Sequence, residues 1–267
     1  MTSTNFNLCI PSKTFFLGEY SVLTKNRAVV LAHAPYFQCV SSQDSTWPPH
    51  PAIQDHPEVT QSFGLIDPHQ GKGGFGASSA LILALAHHIR PFDIKFAHTL
   101  NAKYSPHSSG ADVLSQYFGH LSLINTSTCS AKPIHLHPSC AITLLRTPVK
   151  VSTHEHLKTP LQYDACHLDA LVNDFLQQPN DLQHSARIIN EYEQALQLYG
   201  LRHPSTYSHV QMIRSIANVL AVKGCGALGA DVLLVLSHQD HQAKIITQLP
   251  QAFTVIATEQ DIAKGLL

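Results

Sequence analysis

The chain carries little charge: acidic and basic side chains together make up 13% of its 267 residues and cancel to a formal net of −1. No basic field is available to attract nucleic acid, and no polybasic run suits a membrane surface. The longest apolar runs reach about half of the ~20 residues that a membrane span needs. The opening residues, MTSTNFNLC, lack the charged and apolar regions of a secretory signal. Six cysteines are scattered without CxxC spacing, so neither a zinc site nor a disulfide framework is indicated. A reduced, cytoplasmic setting is the simplest expectation. Histidine, by contrast, is abundant at 19. His135 and His137 sit two apart, as do His154 and His156, and on a strand each pair would share a face. Carboxylate or cysteine partners at ligand spacing are missing, and a structural metal site needs four converging ligands. These histidines read as surface polar residues.

With 44% hydrophobic content, the chain can bury a full core, as one large domain or two small ones. Residues 5–40 alternate short apolar runs with turn residues, which predicts successive antiparallel strands. Residues 41–61 turn polar and proline-rich and read as an exposed loop or lid. Helices are expected after the glycines at 73–76, over 92–104, beyond 112, and over 164–177, 181–199, 205–221 and 239–249. Strands are expected over 120–125, 141–148, 231–237 and 253–258. The pattern loosens around 128–140, which divides the chain into residues 1–138 and 139–267. Strands mixed with several helices, without regular βαβ alternation, predict an α+β fold.

The most informative stretch is GKGGFGASSALI at 71–82. Gly73, Gly74, Gly76 and the small Ala77 strip bulk from a turn, so backbone N–H groups can approach an anion closely. Ser78 and Ser79 add hydroxyls where a nucleotide phosphate or its Mg²⁺ would sit. The run that follows is apolar almost all round, predicting a buried helix whose positive end faces the phosphates. It is not a Walker A loop, because no GK[ST] closes it and Lys72 precedes the glycines. Taken alone, the stretch is equally an ordinary glycine turn before a core helix. Two more turns change that balance. PSKTFFLGEYSVL (11–23) places Lys13 before an apolar run and a Gly18-Glu19-Tyr20 turn, and VKGCGALGADVLLVLS (222–237) places Lys223 before Gly226 and Ala227 and a buried-strand run. Lys223 either closes a helix as a surface charge or faces a substrate anion.

These three segments stand in order along the chain and resemble the signature motifs of the GHMP small-molecule kinases: PGK…GE[HY]xV, GLGSSA and KxxGAGGG. That family includes galactokinase, homoserine kinase, mevalonate kinase and phosphomevalonate kinase. The resemblance runs nearly end to end. It implies a two-domain fold, with a first domain like ribosomal protein S5 domain 2, a ferredoxin-like second domain and the active site between them. ATP and Mg²⁺ are the implied cofactors, with the metal on Ser78. A fourth segment, SSGADVLSQYFGH (108–120), resembles the family's [PS]SG[IA]D turn through Ser109, Gly110 and Asp112. Asp112 then becomes the candidate general base or charge-positioning residue and Lys13 its partner; read locally, without the resemblance, Asp112 is an N-capping residue. TPVKVSTHEHL (147–157) resembles the KxSTxxL stretch of the mevalonate branch, so Lys150 joins Glu19, Tyr20, Ser109, Gly110, Lys223, Gly226 and Ala227 as candidate substrate contacts. Tyr20, the Ala111-Asp112 pair, the KVST stretch and Asp231 lean toward phosphomevalonate over mevalonate. The expected partner is thus a mevalonate-like acid, bound by a monomer or homodimer without nucleic acid or membrane.

Overall fold

The computed structural model describes residues 8–41, 44–46, 50–56, 64–72, 74–89, 91–149 and 162–266. Gly73, Lys150 and the ST pair at 152–153 lie outside the described residues, as do His154 and His156.

The first half builds a five-stranded antiparallel sheet. β1 (Cys9–Leu17) pairs with β2 (Arg27–Val40), and β4 (Leu121–Asn125) and β5 (Ser130–Pro133) follow across the sheet. The short β3 (Gly64–Ile66) pairs with the far end of β2. Where several short strands were expected over 5–40, two long ones form, joined by a single helical turn, α1 (Val22–Lys25). The polar residues that break the pattern inside β2 are tolerated because His33 turns inward to a buried hydroxyl, that of Thr14. The expected open loop at 41–61 is likewise broken by α2 (Pro51–Gln54), whose Ala52 and Ile53 are buried.

Three helices cover one side: α3 (Ala77–Ile89), α4 (Ile94–Tyr104) and α5 (Ala111–Phe118). Residues 79–86 of α3 are all buried, the outcome expected of a helix that is apolar all round. Asp93 caps α4 by accepting from the Lys95 N–H at 2.9 Å, an interaction worth about 1 kcal/mol.

The second half builds a four-stranded antiparallel sheet in the order β7 (Val219–Cys225), β8 (Val232–His238), β6 (Cys140–Arg146), β9 (Thr254–Thr258). Its helices are α6 (Ala165–Gln177), α7 (Leu182–Leu198), α8 (Pro204–Arg214) and α9 (Gln239–Thr247). Asp164 and Asp181 each accept two backbone N–H bonds and so fix where α6 and α7 begin. The helix expected over 205–221 ends at Arg214, and its tail becomes β7. VLAV suits either element, and pairing with β8 decides for strand.

One hydrophobic cluster runs through both halves. Phe16 of β1 meets Phe175 of α6 with ring centroids 5.4 Å apart. The C-terminal segment returns to the first sheet, where the Ala263 N–H donates to the Ala32 carbonyl at 2.9 Å. The architecture is α+β, and the middle of β1, the C-terminal end of β6 and the N-terminal end of α3 converge on the glycine loop. No helix among the described residues is long and apolar enough to cross a membrane.

Candidate active site

The glycine loop lies against β1. The Lys13 N–H donates to the Phe75 carbonyl at 3.0 Å, and the Gln116 amide of α5 donates to the carbonyls of Pro11 at 2.8 Å and Gly76 at 3.1 Å. Gly76 has φ +93, and a Cβ there would stand 2.9 Å from Gln116 Nε2 and 3.1 Å from Lys13 Cγ. A side chain fits neither the backbone angle nor the space. Ser79 turns back and donates to the Gly76 carbonyl at 2.9 Å, bracing the loop from behind. Gly74, Gly76, Ala77 and Ser78 stay partly open in front of the first N–H groups of α3, which have no acceptor within the helix. Ser78 Oγ is 3.4 Å from His50 Nε2. His50 Nδ1 already accepts from the Ala52 N–H at 3.2 Å, so the ring's proton sits on Nε2 and is donated to Ser78. Burial lowers the His50 pKa, which favours this neutral form.

Lys13 and Asp112 meet beside this loop, Nζ to Oδ2 at 3.0 Å. Lys13 is 6% exposed, so an unpaired ammonium there would be costly; Asp112 and the Phe15 ring, 4.9 Å away, offset that burial. Asp112 sits in the first turn of α5, but it is not the cap. Gly110 takes that place at φ +75, where a Cβ would collide with the His98 ring, and Ser109 accepts from the Ala111 N–H at 3.3 Å. The SSGAD turn therefore leaves the Asp112 carboxylate free of backbone duty and directs it at Lys13.

Ser12 and Thr14 point to the opposite face of β1 from Lys13. Ser12 donates to the Pro35 carbonyl at 2.6 Å and meets His69 Nε2 at 2.7 Å. Because the serine proton goes to Pro35, His69 donates through Nε2 and accepts through Nδ1, where Arg146 Nη2 arrives at 3.1 Å. Burial, His33 and the Arg146 charge push the His69 pKa down to about 3. Burial also pushes His33 down to about 4. The His69 ring stacks on Phe75 of the loop at 4.0 Å. Sequence reasoning found neither His69 nor Arg146, since the polar partners that place them are 57 and 77 positions away in the chain.

The Gly18-Glu19-Tyr20 turn and Lys223 come together, but in the interior. Lys223 Nζ is 2.7 Å from Glu19 Oε1, with both side chains almost wholly buried. Arg202 lies 3.8 Å from the same carboxylate and forms a bidentate pair with Glu193. Lys223 sits inside β7, which excludes the surface position at a helix end. Burial raises the Tyr20 phenol to about 12, keeping it neutral. Between Gly74 and Gly226 lies Asp231: a Cβ on either glycine would stand 3.4 or 3.2 Å from its Oδ2. Ala227 starts a short 3₁₀ turn, Ala227–Gly229, in which Leu228 takes φ 51. Among the described residues, no three His, Cys, Asp or Glu side chains cluster as a metal site.

No family model matches the sequence, and no curated protein matches it significantly. Solved structures do. Methanococcus jannaschii mevalonate kinase superposes with a TM-score of 0.72 at 12% identity, over 98% of this chain and 100% of that one. Streptococcus pneumoniae phosphomevalonate kinase, solved with phosphomevalonate and AMPPNP, gives 0.70 at 15% identity over 94% and 98%. Lactococcus lactis galactokinase, solved with galactose, gives 0.68 at 11% over 99% and 95%. The fold is that of the GHMP kinases. At these identities the likeness is one of fold.

Proposed function

We propose that the protein is an ATP-dependent small-molecule kinase of the mevalonate pathway, acting on phosphomevalonate, with mevalonate the next candidate acceptor. The observation that carries this reading is the Lys13–Asp112 pair, held at 3.0 Å directly beside a glycine loop that opens a helix. The division into residues 1–138 and 139–267 belongs to the same reading and is supported by the two separate sheets.

The residues suit the implied cofactors. A loop that would be filled by a Cβ at Gly76, at the positive end of α3, matches what nucleotide phosphates require. Gly74, Gly76, Ala77, Ser78 and Ser79, with Gly73 in the same run, would hold them. Mg²⁺ keeps several waters and is held in such sites largely by phosphate oxygens, and Ser78 is its candidate protein ligand. When bound, ATP supplies the phosphoryl group and the metal neutralises part of its charge.

The remaining work falls to a sparse set of side chains, which phosphoryl transfer permits because it depends on positioning and electrostatics. Lys13 stabilises the charge that builds between donor and acceptor oxygens. Asp112 holds Lys13 in place and, for a hydroxyl acceptor, takes its proton. With a phosphate acceptor the attacking oxygen is already ionised at neutral pH, and Asp112 has only the positioning role. Glu19, Tyr20 and Lys223 shape the wall behind the site through their buried cluster, while Ser109, Gly110, Gly226 and Ala227 line up the turns around it. Lys150 remains part of the proposal as an acceptor contact.

Purified protein is incubated with ATP, Mg²⁺ and, in turn, phosphomevalonate, mevalonate, homoserine and galactose, and ADP release is followed. Turnover with phosphomevalonate supports the reading. Turnover with mevalonate alone reverses the order of acceptors, and ADP formation with none of them refutes it.

A further inference from the structure

Arg146 ends β6 on the face of the second sheet that looks toward the glycine loop, one residue before the Thr147 N–H that donates to the Asp231 carbonyl at 3.1 Å. Its guanidinium carbon lies 5.8 Å from the centre of the Phe75 ring, within cation–π range. One Nη donates to His69 Nδ1 at 3.1 Å, and Nε is buried with no partner. Among the described residues no carboxylate pairs with it. Arg187 and Arg202 each grip acidic side chains, whereas Arg214 donates to the Asn190 amide oxygen and the Val222 carbonyl. Among the described residues the half-buried Arg146 guanidinium is held by a neutral imidazole and a ring face alone, with an unmatched charge and unused donors, at a place where the fold has built a support for it. That support is directional: the Pro35 carbonyl, the Ser12 hydroxyl, the His69 imidazole and the Arg146 fork form one donor–acceptor chain.

We infer that Arg146 recognises the acidic group of the phosphoryl acceptor and so selects anionic acids over neutral acceptors such as sugars. The inference deepens the kinase reading and rests on it. Two features favour the acceptor over the nucleotide. Arg146 lies against the ring of Phe75, whose carbonyl binds the Lys13 backbone. Nucleotide phosphates belong instead at the helix end of the loop, around Ala77 and Ser78. Arginine suits the task because its planar fork pairs with two oxygens of a carboxylate or phosphate at once. His69 and Ser12 are positioning residues, setting the angle of the fork.

Calorimetry without turnover tests this. Binding of phosphomevalonate, mevalonate, galactose and ATP is measured on the wild type, R146M and R146K, with thermal melting as the control for folding. The acid that binds the wild type should bind R146M about 10- to 100-fold more weakly, as expected for loss of hydrogen bonds to a charged group. R146K should recover part of the loss, and ATP affinity should not change. Unaltered acid affinity in folded R146M overturns the inference. So does an equal fall in ATP affinity, which would assign Arg146 to the nucleotide, and so does a wild type that binds neither acid. A wild type that binds an acid but never releases ADP sinks the kinase reading alone, and the R146M comparison still decides Arg146. Lower melting temperature in R146M with acid affinity retained by R146M would make Arg146 a structural residue.

Discussion

Replacing Lys223 with methionine should destabilise the protein far more than it alters ligand binding. The Lys223 side chain is fully buried and its ammonium is 2.7 Å from Glu19 Oε1. Methionine fills most of the volume but leaves the Glu19 carboxylate, 6% exposed, with only the Arg202 contact at 3.8 Å. Its second oxygen, Oε2, already has no hydrogen-bond partner. Removing one partner from a buried ion pair costs about 3–5 kcal/mol, a large part of the ~5–15 kcal/mol that holds a typical protein folded. With a urea dependence of about 3 kcal/mol per M, the unfolding midpoint should fall by about 1–1.7 M at unchanged slope. The double variant Glu19→Gln, Lys223→Met removes both charges, and its loss should be well below the sum of the two single losses. A midpoint shift under about 0.3 M for K223M, with additive behaviour in the double variant, would refute the argument by showing that the pair is solvated. A raised acceptor KM at near-normal stability would instead return Lys223 to the substrate.

Three further outcomes follow from the geometry. Gly76→Val should cost about 1–3 kcal/mol from its positive φ alone and abolish ATP binding while the fold survives; a folded variant with normal ATP affinity by calorimetry would reduce the loop to a turn. Asp112→Asn should lower kcat by about 10²–10⁴-fold if the acceptor is a hydroxyl and by less if it is a phosphate, whereas Lys13→Met should be severe with either; an active K13M, D112N double variant would remove both residues from the chemistry. Stability should also fall with acid. His33 and His69 have native values near 4 and 3, below the unfolded value of about 6.5, so between pH 6.5 and 5 the unfolded chain takes up protons that the native protein refuses. Each histidine then contributes a loss of about 2 kcal/mol over that window. Urea titrations of wild type and His33→Gln should diverge in pH dependence accordingly, and parallel curves would contradict the burial of a neutral His33.

What could be read in the sequence was whatever is encoded by neighbours. The ALILALAHHI run has no polar face, so α3 had to be buried, and three glycines before it marked a turn. Lys13 and Asp112 stand 99 positions apart, yet each lay in a segment whose local pattern announced it. Arg146 and His69 had no such signal, because their polar partners lie 57 and 77 positions away and come near only when the sheets assemble. Lys223 shows the limit from the other side: its place before a glycine turn was evident, but its burial depends on Glu19, which is 204 positions away. The tail of the 205–221 segment failed for a simpler reason, since its composition suits two elements and only pairing with β8 chooses between them.

β1 is the last strand of its sheet, and its outer side would be a row of open peptide groups. The chain sets the glycine loop against it, with the Lys13 N–H closed by the Phe75 carbonyl. The loop proposed to cradle phosphates therefore also keeps this strand from recruiting a foreign one, the hazard that exposed sheet edges carry. Flexibility that would help a nucleotide enter and leave works against solubility at the same place. The polar brace behind the loop, made by Gln116 and Ser79, holds the loop down while leaving its front open, and this chain's tendency to self-associate should be set by how firmly that brace grips.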